Sequence, residues 1–529
     1  MADNNQSRRL FLGCFVALVA TAFGFLVRGA VLSDWGVQFN LTEEQKGVLS
    51  GVGLYPFAIS IILLSLIVDR IGYGTVMAFA FLGHVVSILG MIFAPNFQVL
   101  YAASFLFSLS NGAVEAVINP VVATIYRENK TKWLNVLHAG WPGGFVLGGL
   151  LSILVVTMFK DGPGGLSGKL WQWQMALLLL PVALYGALLV GLRFPQQERV
   201  EAGVSYREML EEFGWGSALI VSFLLIMGIS QVLDVFGVAP IEAKWALAMA
   251  LVPTVIFGFF IHSFGRPMFV FLLLVMFLLA TTELGTDGWI QDIMGSALSD
   301  PVKGTWFLVY TAAIMFVMRF FAGPIVHRIS PLGLLAACAA IAAVGLYWLG
   351  NAGTGLYVLF AAATLYGIGK SFFWPTTLGL VSEQYPRGGA LLMNAIAGVG
   401  MIAVGTIGGP AIGTLQDHNL AAAVAAEMPA AHAEAVTAFE GIFMQSEVLD
   451  WTKVAELPAA DRAKIETMQR DVKQHTLAKI GILPAIMCAC YLGLIVYYQS
   501  RGGYRTEVLA GHAAQDTKFT GGTSGPGGG

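Results

Sequence analysis

Charge is scarce in this sequence. Only 12% of its 529 residues are Asp, Glu, Lys or Arg, against 57% apolar, and the mean hydropathy is +0.73. A chain this poor in charge is not an ordinary soluble protein, and its long apolar runs are membrane spans. The net charge of −3 gives no basic face for a nucleic-acid partner. Cysteine is scarce too. Cys14, Cys338, Cys488 and Cys490 all lie in apolar segments, which argues against a disulfide framework. No metal-spaced His/Cys cluster, nucleophile elbow or nucleotide loop is present, so neither an enzyme nor a metal or cofactor is expected. Gly369-Lys-Ser371 resembles the end of a phosphate loop, but that motif needs a glycine where Thr364 stands.

What is present is a series of apolar runs, each of about 20 residues or more and so able to cross roughly 30 Å of hydrocarbon. The first six fall near 10–33, 46–68, 74–94, 98–126, 133–158 and 173–193. Two more lie near 216–238 and 244–264. The last six lie near 267–291, 304–327, 331–349, 354–382, 388–413 and 476–499. The expected fold is all-α and polytopic with about 14 spans. The domains read 1–193 as a six-helix half, 194–215 as a linker, 216–265 as an extra helix pair and 266–415 as five helices of a second half. Residues 416–475 then read as a helical insertion outside the membrane, 476–499 as the last span and 500–529 as a disordered tail ending in Gly and Ser. Arg8 and Arg9 precede a run too long for a cleaved signal peptide. Basic residues crowd the loops on the side of both termini, which the positive-inside rule makes cytoplasmic. A multi-pass protein of the cell membrane, in contact with lipid and a small solute, is expected, and a monomer.

The halves repeat. Aligning Pro120 with Pro375 places Gly112 on Gly367, Glu115 on Lys370 and Asn119 on Trp374. Ile67-Val-Asp-Arg-Ile71 reappears as Ile325-Val-His-Arg-Ile329. Such internal symmetry marks a secondary transporter, with its site at the midplane between repeats. The repeat also puts an acid and a base in equivalent places within hydrocarbon, where an ionisable group costs roughly 2.5–3.5 kcal/mol even on a lenient scale. Such groups persist when paired, hydrated or used.

These residues resemble the major facilitator superfamily, and within it the fucose/glucose/galactose proton-symporter group. Glu115, Asn119 and Pro120 match that group's fourth helix, and Glu283 with Trp289 its seventh. Arg319-Phe320 with Gly323, Arg328 and Pro331 resembles its eighth, and Ser371 to Thr376 its tenth. Asp69, Arg70 and Gly72 keep part of the loop between helices two and three, but Ser65 replaces its first Gly and Tyr73-Gly74 its basic pair. Arg28-Gly29 stands where the group tends to carry an acid, a feature closer to the organic-anion branch. The resemblance implies alternating access and a gate formed by Asp69, Arg70 and Arg328.

On this reading Glu115 carries the coupled proton, either paired with Lys370 or Arg28 or free to titrate. Arg28, Asn111, Asn119, Glu283, Trp289, Arg319, Lys370 and Trp374 are expected to contact the substrate. Arg28 suits a carboxylate, and acids beside a Trp suit a sugar. Arg319 could instead pair with an acid of the seventh helix. The expected activity is proton-coupled symport of a small polar solute such as a sugar, with the proton gradient as energy source. The alternatives are an organic-anion transporter of the same superfamily and a transporter-like sensor.

Overall fold

The computed structural model describes residues 2–41, 43–159, 169–234, 237–298, 301–440, 445–507 and 509. Residues 160–168 and the tail from 510 on lie outside them. Among the described residues, twelve helices are long and apolar enough to cross a membrane, and two shorter ones fill the remaining expected places. The first half holds α1 (Asn5–Ala30), α2 (Tyr55–Ile71), α3 (Tyr73–Ile92), α4 (Phe97–Ile125), α5 (Arg127–Phe159) and α6 (Leu170–Leu189). The central pair is α7 (Tyr206–Leu233) and α8 (Ala243–Ile261). The second half holds α9 (Pro267–Ala297), α10 (Trp306–Arg319), α11 (Ala322–Gly350), α12 (Leu356–Gln384), α13 (Pro386–Glu427) and α14 (Ala459–Gln499).

The local sequence explains where these helices begin and bend. Asn96 starts α4, its side chain accepting from the Val99 N–H at 3.0 Å. Pro267 opens α9 at a position that needs no donor. The expected run 46–68 is two pieces, Glu43–Gly51 and α2, because Pro56 also opens a helix. Ser330, at φ 64°, turns the chain sharply inside α11.

The halves meet along several seams. α2 packs on α13, α5 on α10 and α12, and α4 on α13. Of the central pair, α7 leans on α13 of one half and α2 of the other, and α8 packs on α7. The outward face of α8 shows Trp245, Val252, Val255, Phe259 and Phe260, as a lipid-facing helix should.

The first and last described stretches lie at one end of the bundle, called here the end with the termini, and that end is closed by polar bonds. Arg199 pairs with Asp69 at 2.6 Å, and Lys130 pairs with Glu198 at 2.6 Å while donating to the Ser382 carbonyl at 3.2 Å. Glu383 of α12 accepts from the Thr131 hydroxyl of α5 at 2.6 Å and from Tyr504 at 2.8 Å. Two expectations change here. Asp69 is engaged, but with Arg199, while Arg70 and Arg328 are exposed. The start of the expected tail is docked, since the Glu507 N–H donates to the Glu383 carbonyl at 2.8 Å.

The segment 416–475 is not purely helical. α13 continues to Glu427 and α14 begins at Ala459. Between them, after a helix at Pro429–Ala435, β1 (Val436–Glu440) and β2 (Gln445–Leu449) pair antiparallel with Val436 opposite Leu449. The apparent helical spacing of Val448, Trp451, Val454 and Leu457 runs from strand β2 into a short helix, Trp451–Glu456. The insertion has its own core, including Leu420, Val424, Leu449, Val454 and Ile465.

Close approach of α4 to α2 depends on Gly112, where an added Cβ would lie 2.2 Å from the Phe57 carbonyl oxygen. Gly112→Ala should therefore destabilise the fold by about 1–3 kcal/mol through overpacking. A thermal melt in detergent tests this, and an unchanged Tm would show that α4 does not need that contact.

Candidate functional site

A wide cavity of about 420 Å³ opens towards the end opposite the termini. Its walls come from α1, Leu54 just before α2, and α5 on one side and from α9, α10 and α13 on the other. They include Phe25, Trp141, Phe145, Leu284 and Met401. Its polar side chains are Ser152, Asp287 and Gln291. Below it, and sharing Trp141, Leu284 and Met401, lies a space of about 20 Å³, room for about one water. There the walls are Phe57, Glu115, His138, Glu283, Arg319 and Trp374.

Two ion pairs stand on the second-half side. Arg319 Nη2 meets Glu283 Oε1 at 3.1 Å, with both side chains 2% exposed. One turn along α9, Asp287 pairs with Lys370, whose ammonium also lies 5.0 Å from the centre of the Tyr366 ring. Glu283 and Asp287 share a face because they are four residues apart. The helix is locally wider at Thr281–Gly285, a π-helical turn. It packs on a second π-helical turn, Val404–Gly408 of α13, so closely that a Cβ on Gly408 would sit 2.3 Å from the Thr281 hydroxyl.

On the first-half side, Glu115 has a neutral partner. Asn119 Nδ2 donates to its Oε2 at 2.6 Å, and Asn119 Oδ1 accepts from His138 Nε2 at 2.9 Å. The His138 carbonyl in turn accepts from Arg319 Nη1, and Arg319 Nε donates to the Ser371 carbonyl at 2.7 Å. His138, through its ring on one side and its backbone carbonyl on the other, thus connects Glu115 and Asn119 to the Arg319–Glu283 pair across the seam.

The structure brings Glu115, Glu283, Arg319 and Trp374 together at the cavity floor, with Asn119 directly behind them and Lys370 behind Asp287. Of the two arrangements foreseen for Glu115, the pair with Lys370 or Arg28 is not formed among the described residues: Lys370 meets Asp287 and Glu115 meets Asn119. Repeat symmetry places these residues at equivalent depths, but the acid that reaches Lys370 comes from α9. Arg319 takes the alternative foreseen for it, a pair with an acid of the seventh core helix. Besides Asn119 and Lys370, which stand behind the walls, three more expected contacts lie off them. Asn111 faces α3, where it bonds His84 at 2.9 Å. Arg28 points towards the helix preceding α2 and donates to the Leu49 carbonyl at 2.9 Å. Trp289 donates to the Gly409 carbonyl at 3.1 Å and so ties α9 to α13. Trp141, to which sequence reasoning gave no role, lines both spaces from the Gly140-Trp-Pro-Gly-Gly144 stretch. Asp287, one turn on from Glu283, is a further acid that the structure brings to the cavity.

Comparison with known proteins agrees with this architecture. The proton:xylose symporter XylE superposes with a TM-score of 0.61 at 13% identity, covering 92% of this chain and 95% of the symporter. This likeness is one of fold. Among curated proteins, the niacin transporter NiaP of Acinetobacter baylyi is 21% identical over 418 residues, 78% of this chain and 86% of that protein. The gentisate transporter of Corynebacterium glutamicum is 23% identical over 199 residues, 37% of this chain, and the match spans 42% of that transporter's length. The family model of the Major Facilitator Superfamily matches residues 10–281, just over half of the sequence. With the two-half helical fold, this establishes that the chain belongs to the major facilitator superfamily, a family of membrane transporters and not of enzymes.

Proposed function

We propose that this protein moves a small organic acid, with an aromatic or otherwise flat apolar body, across the cytoplasmic membrane together with a proton. The observation that carries this reading is the cavity itself, an apolar and aromatic chamber whose floor ends on two acid–base pairs. A sugar presents hydroxyls around its whole ring, and a buried hydroxyl left unpaired costs about 1–3 kcal/mol. Ser152, Asp287 and Gln291 are few partners for such a ring. A carboxylate on a flat apolar body asks for a cation at one end and aromatic surface elsewhere. Arg319 and Lys370 supply the first, and Trp141, Phe145 and Trp374 the second. The relatives named for gentisate and niacin, both aromatic acids, support the same class, so the cavity favours the organic acid over the sugar expected from sequence.

Charge balance supplies the coupling. Glu283 and Asp287 offset Arg319 and Lys370, and an entering carboxylate adds one negative charge. Holding an uncompensated charge in a dry site costs several kcal/mol. Glu115 has an amide partner instead of a cation, and that partner can stay bonded whether the acid is ionised or protonated. A proton on Glu115 cancels the incoming charge, so one proton travels with one carboxylate. In this reading the end with the termini is cytoplasmic, the chain rests there closed, and the cavity faces outward. Arg28, Asn111 and Trp289 then shape helix packing, and Asp69 with Arg199 belongs to the closed gate. No cofactor is needed beyond the proton gradient.

Uptake into proteoliposomes tests the reading, with labelled benzoate, nicotinate, xylose and fucose supplied with and without an inward proton gradient. The acids should accumulate only with the gradient. Glu115→Gln should equilibrate them without concentrating them, and Lys370→Met should lower uptake at least tenfold. Accumulation of xylose or fucose without either acid would overturn the assignment. The ion pair makes a separate prediction. Arg319→Met strands a buried carboxylate and should cost about 3–5 kcal/mol of stability, while Arg319→Met with Glu283→Gln should recover most of it. Equal losses in a detergent melt would show that the pair carries no coupling.

A further inference from the structure

Arg319 is 1% exposed and makes three kinds of bond. One goes to the Glu283 carboxylate, and the other two go to backbone carbonyls within helices, those of Ser371 and His138. A helical carbonyl normally accepts from the N–H four residues later. Four residues after Ser371 is Pro375, and four after His138 is Pro142. Neither has an N–H to give. The neighbouring bonds of both helices are intact: Thr376 N–H donates to the Phe372 carbonyl at 3.1 Å, and Gly143 N–H to the Ala139 carbonyl at 3.0 Å. Each proline thus releases one carbonyl, and Arg319 occupies both.

The same device recurs at the seam between α4 and α13. Pro120 stands four residues after Ala116, and the freed Ala116 carbonyl accepts from Asn394 Nδ2 at 3.0 Å. The Pro120–Pro375 repeat, first met as a landmark of internal symmetry, therefore serves two different donors in its two copies. In hydrocarbon a helix tolerates an internal proline when a neighbour satisfies the freed group. Here those neighbours are a buried amide and the guanidinium of the candidate binding site.

We infer that Pro142 and Pro375 are positioning residues for Arg319, presenting two carbonyls that hold its guanidinium beneath the cavity. This rests on the reading of Arg319 as a substrate-facing cation. Carbonyls neither take up protons nor carry net charge. They fix the guanidinium while leaving its positive charge to Glu283 or to an arriving carboxylate. When Glu283 is protonated or displaced, two of the three anchors remain, one in each half. A cation held only by its acid would swing away as that acid changed state.

The test is a mutant cycle read by thermal melting in detergent, which needs no solute and so fails independently of the transport assignment. In the wild-type background Pro142→Ala introduces an N–H that competes with Arg319 for the His138 carbonyl, and Tm should fall by about 2–4 °C. In the Arg319→Met/Glu283→Gln background that carbonyl has lost its donor. The new N–H satisfies it, and Tm should rise. Pro375→Ala should show the same reversal of sign at the Ser371 carbonyl and serves as a second variant should Pro142→Ala not yield folded protein. Pro120→Ala, whose carbonyl meets Asn394, should shift Tm in one direction in both backgrounds. A shift of the same sign in both backgrounds for Pro142→Ala and Pro375→Ala would overturn the inference and leave these prolines as ordinary helix bends.

Discussion

A polar group within hydrocarbon must find its partner inside the protein, and the arrangement of this molecule follows from that requirement. Apart from Arg28, which turns towards the Leu49 carbonyl behind the wall, the charges described at bilayer depth converge on one place. Glu115, Glu283, Asp287, Arg319 and Lys370 gather about the cavity floor, and each is answered by an opposite charge or an amide. The backbone follows the same rule. Carbonyls that prolines release do not face lipid but receive Arg319 or Asn394. The cost that makes these groups rare is also what focuses them, since a polar group survives most readily where other polar groups already are.

The two ends of the bundle are built differently. At the end with the termini the seal is polar, made of ion pairs such as Arg199–Asp69 and Lys130–Glu198 whose basic side chains are buried. Glu383 concentrates three connections, to α5, to Tyr504 and, through its carbonyl, to the backbone of Glu507. At the other end the halves stand apart around the wide cavity, and the contacts there are apolar. Rocking of the halves must therefore exchange a polar seal for an apolar one. The insertion with its own small core rides on the extended ends of α13 and α14.

The sequence made the fold legible because span length and apolar content are nearly sufficient to define a membrane helix, and because the repeat showed two halves. The runs 98–126 and 331–349 fall almost where α4 and most of α11 lie. The second run, 46–68, broke at Pro56 because composition alone does not say where a helix starts. The insertion was misread because a hairpin of two five-residue strands beside a short helix can mimic helical spacing. At the site, sequence could name which groups were out of place but not whom they meet. Glu115 and Lys370 are equivalent by symmetry, yet partners are set by which helix faces carry acids. Asp287 reached Lys370 first, and Asn119 took Glu115. Asn111 is only one turn from Glu115, but its rotation about α4 sends it to His84 on α3. Rotation of a helix about its axis is a property of packing, and no single helix sequence states it.

Alternating access asks for a site that changes partners without losing its shape. The two halves contribute unequally to that demand. The second half brings both cations together with their acids, so its net charge can stay near zero through the cycle. The first half brings Glu115, an acid held by an amide, and the neutral His138 carbonyl. Across the seam the polar bonds at the floor end on neutral acceptors, as with Arg319 on His138, Asn394 on Ala116 and Asn135 on the Thr376 hydroxyl at 3.1 Å. A buried ion pair across the seam would oppose separation strongly, because breaking it strands two charges in a dry site. A hydrogen bond to a carbonyl costs far less to exchange, about 0.5–1.5 kcal/mol for a neutral donor and somewhat more for a charged one. Strong pairs within one half and weak bonds between the halves let the halves part while the site stays assembled.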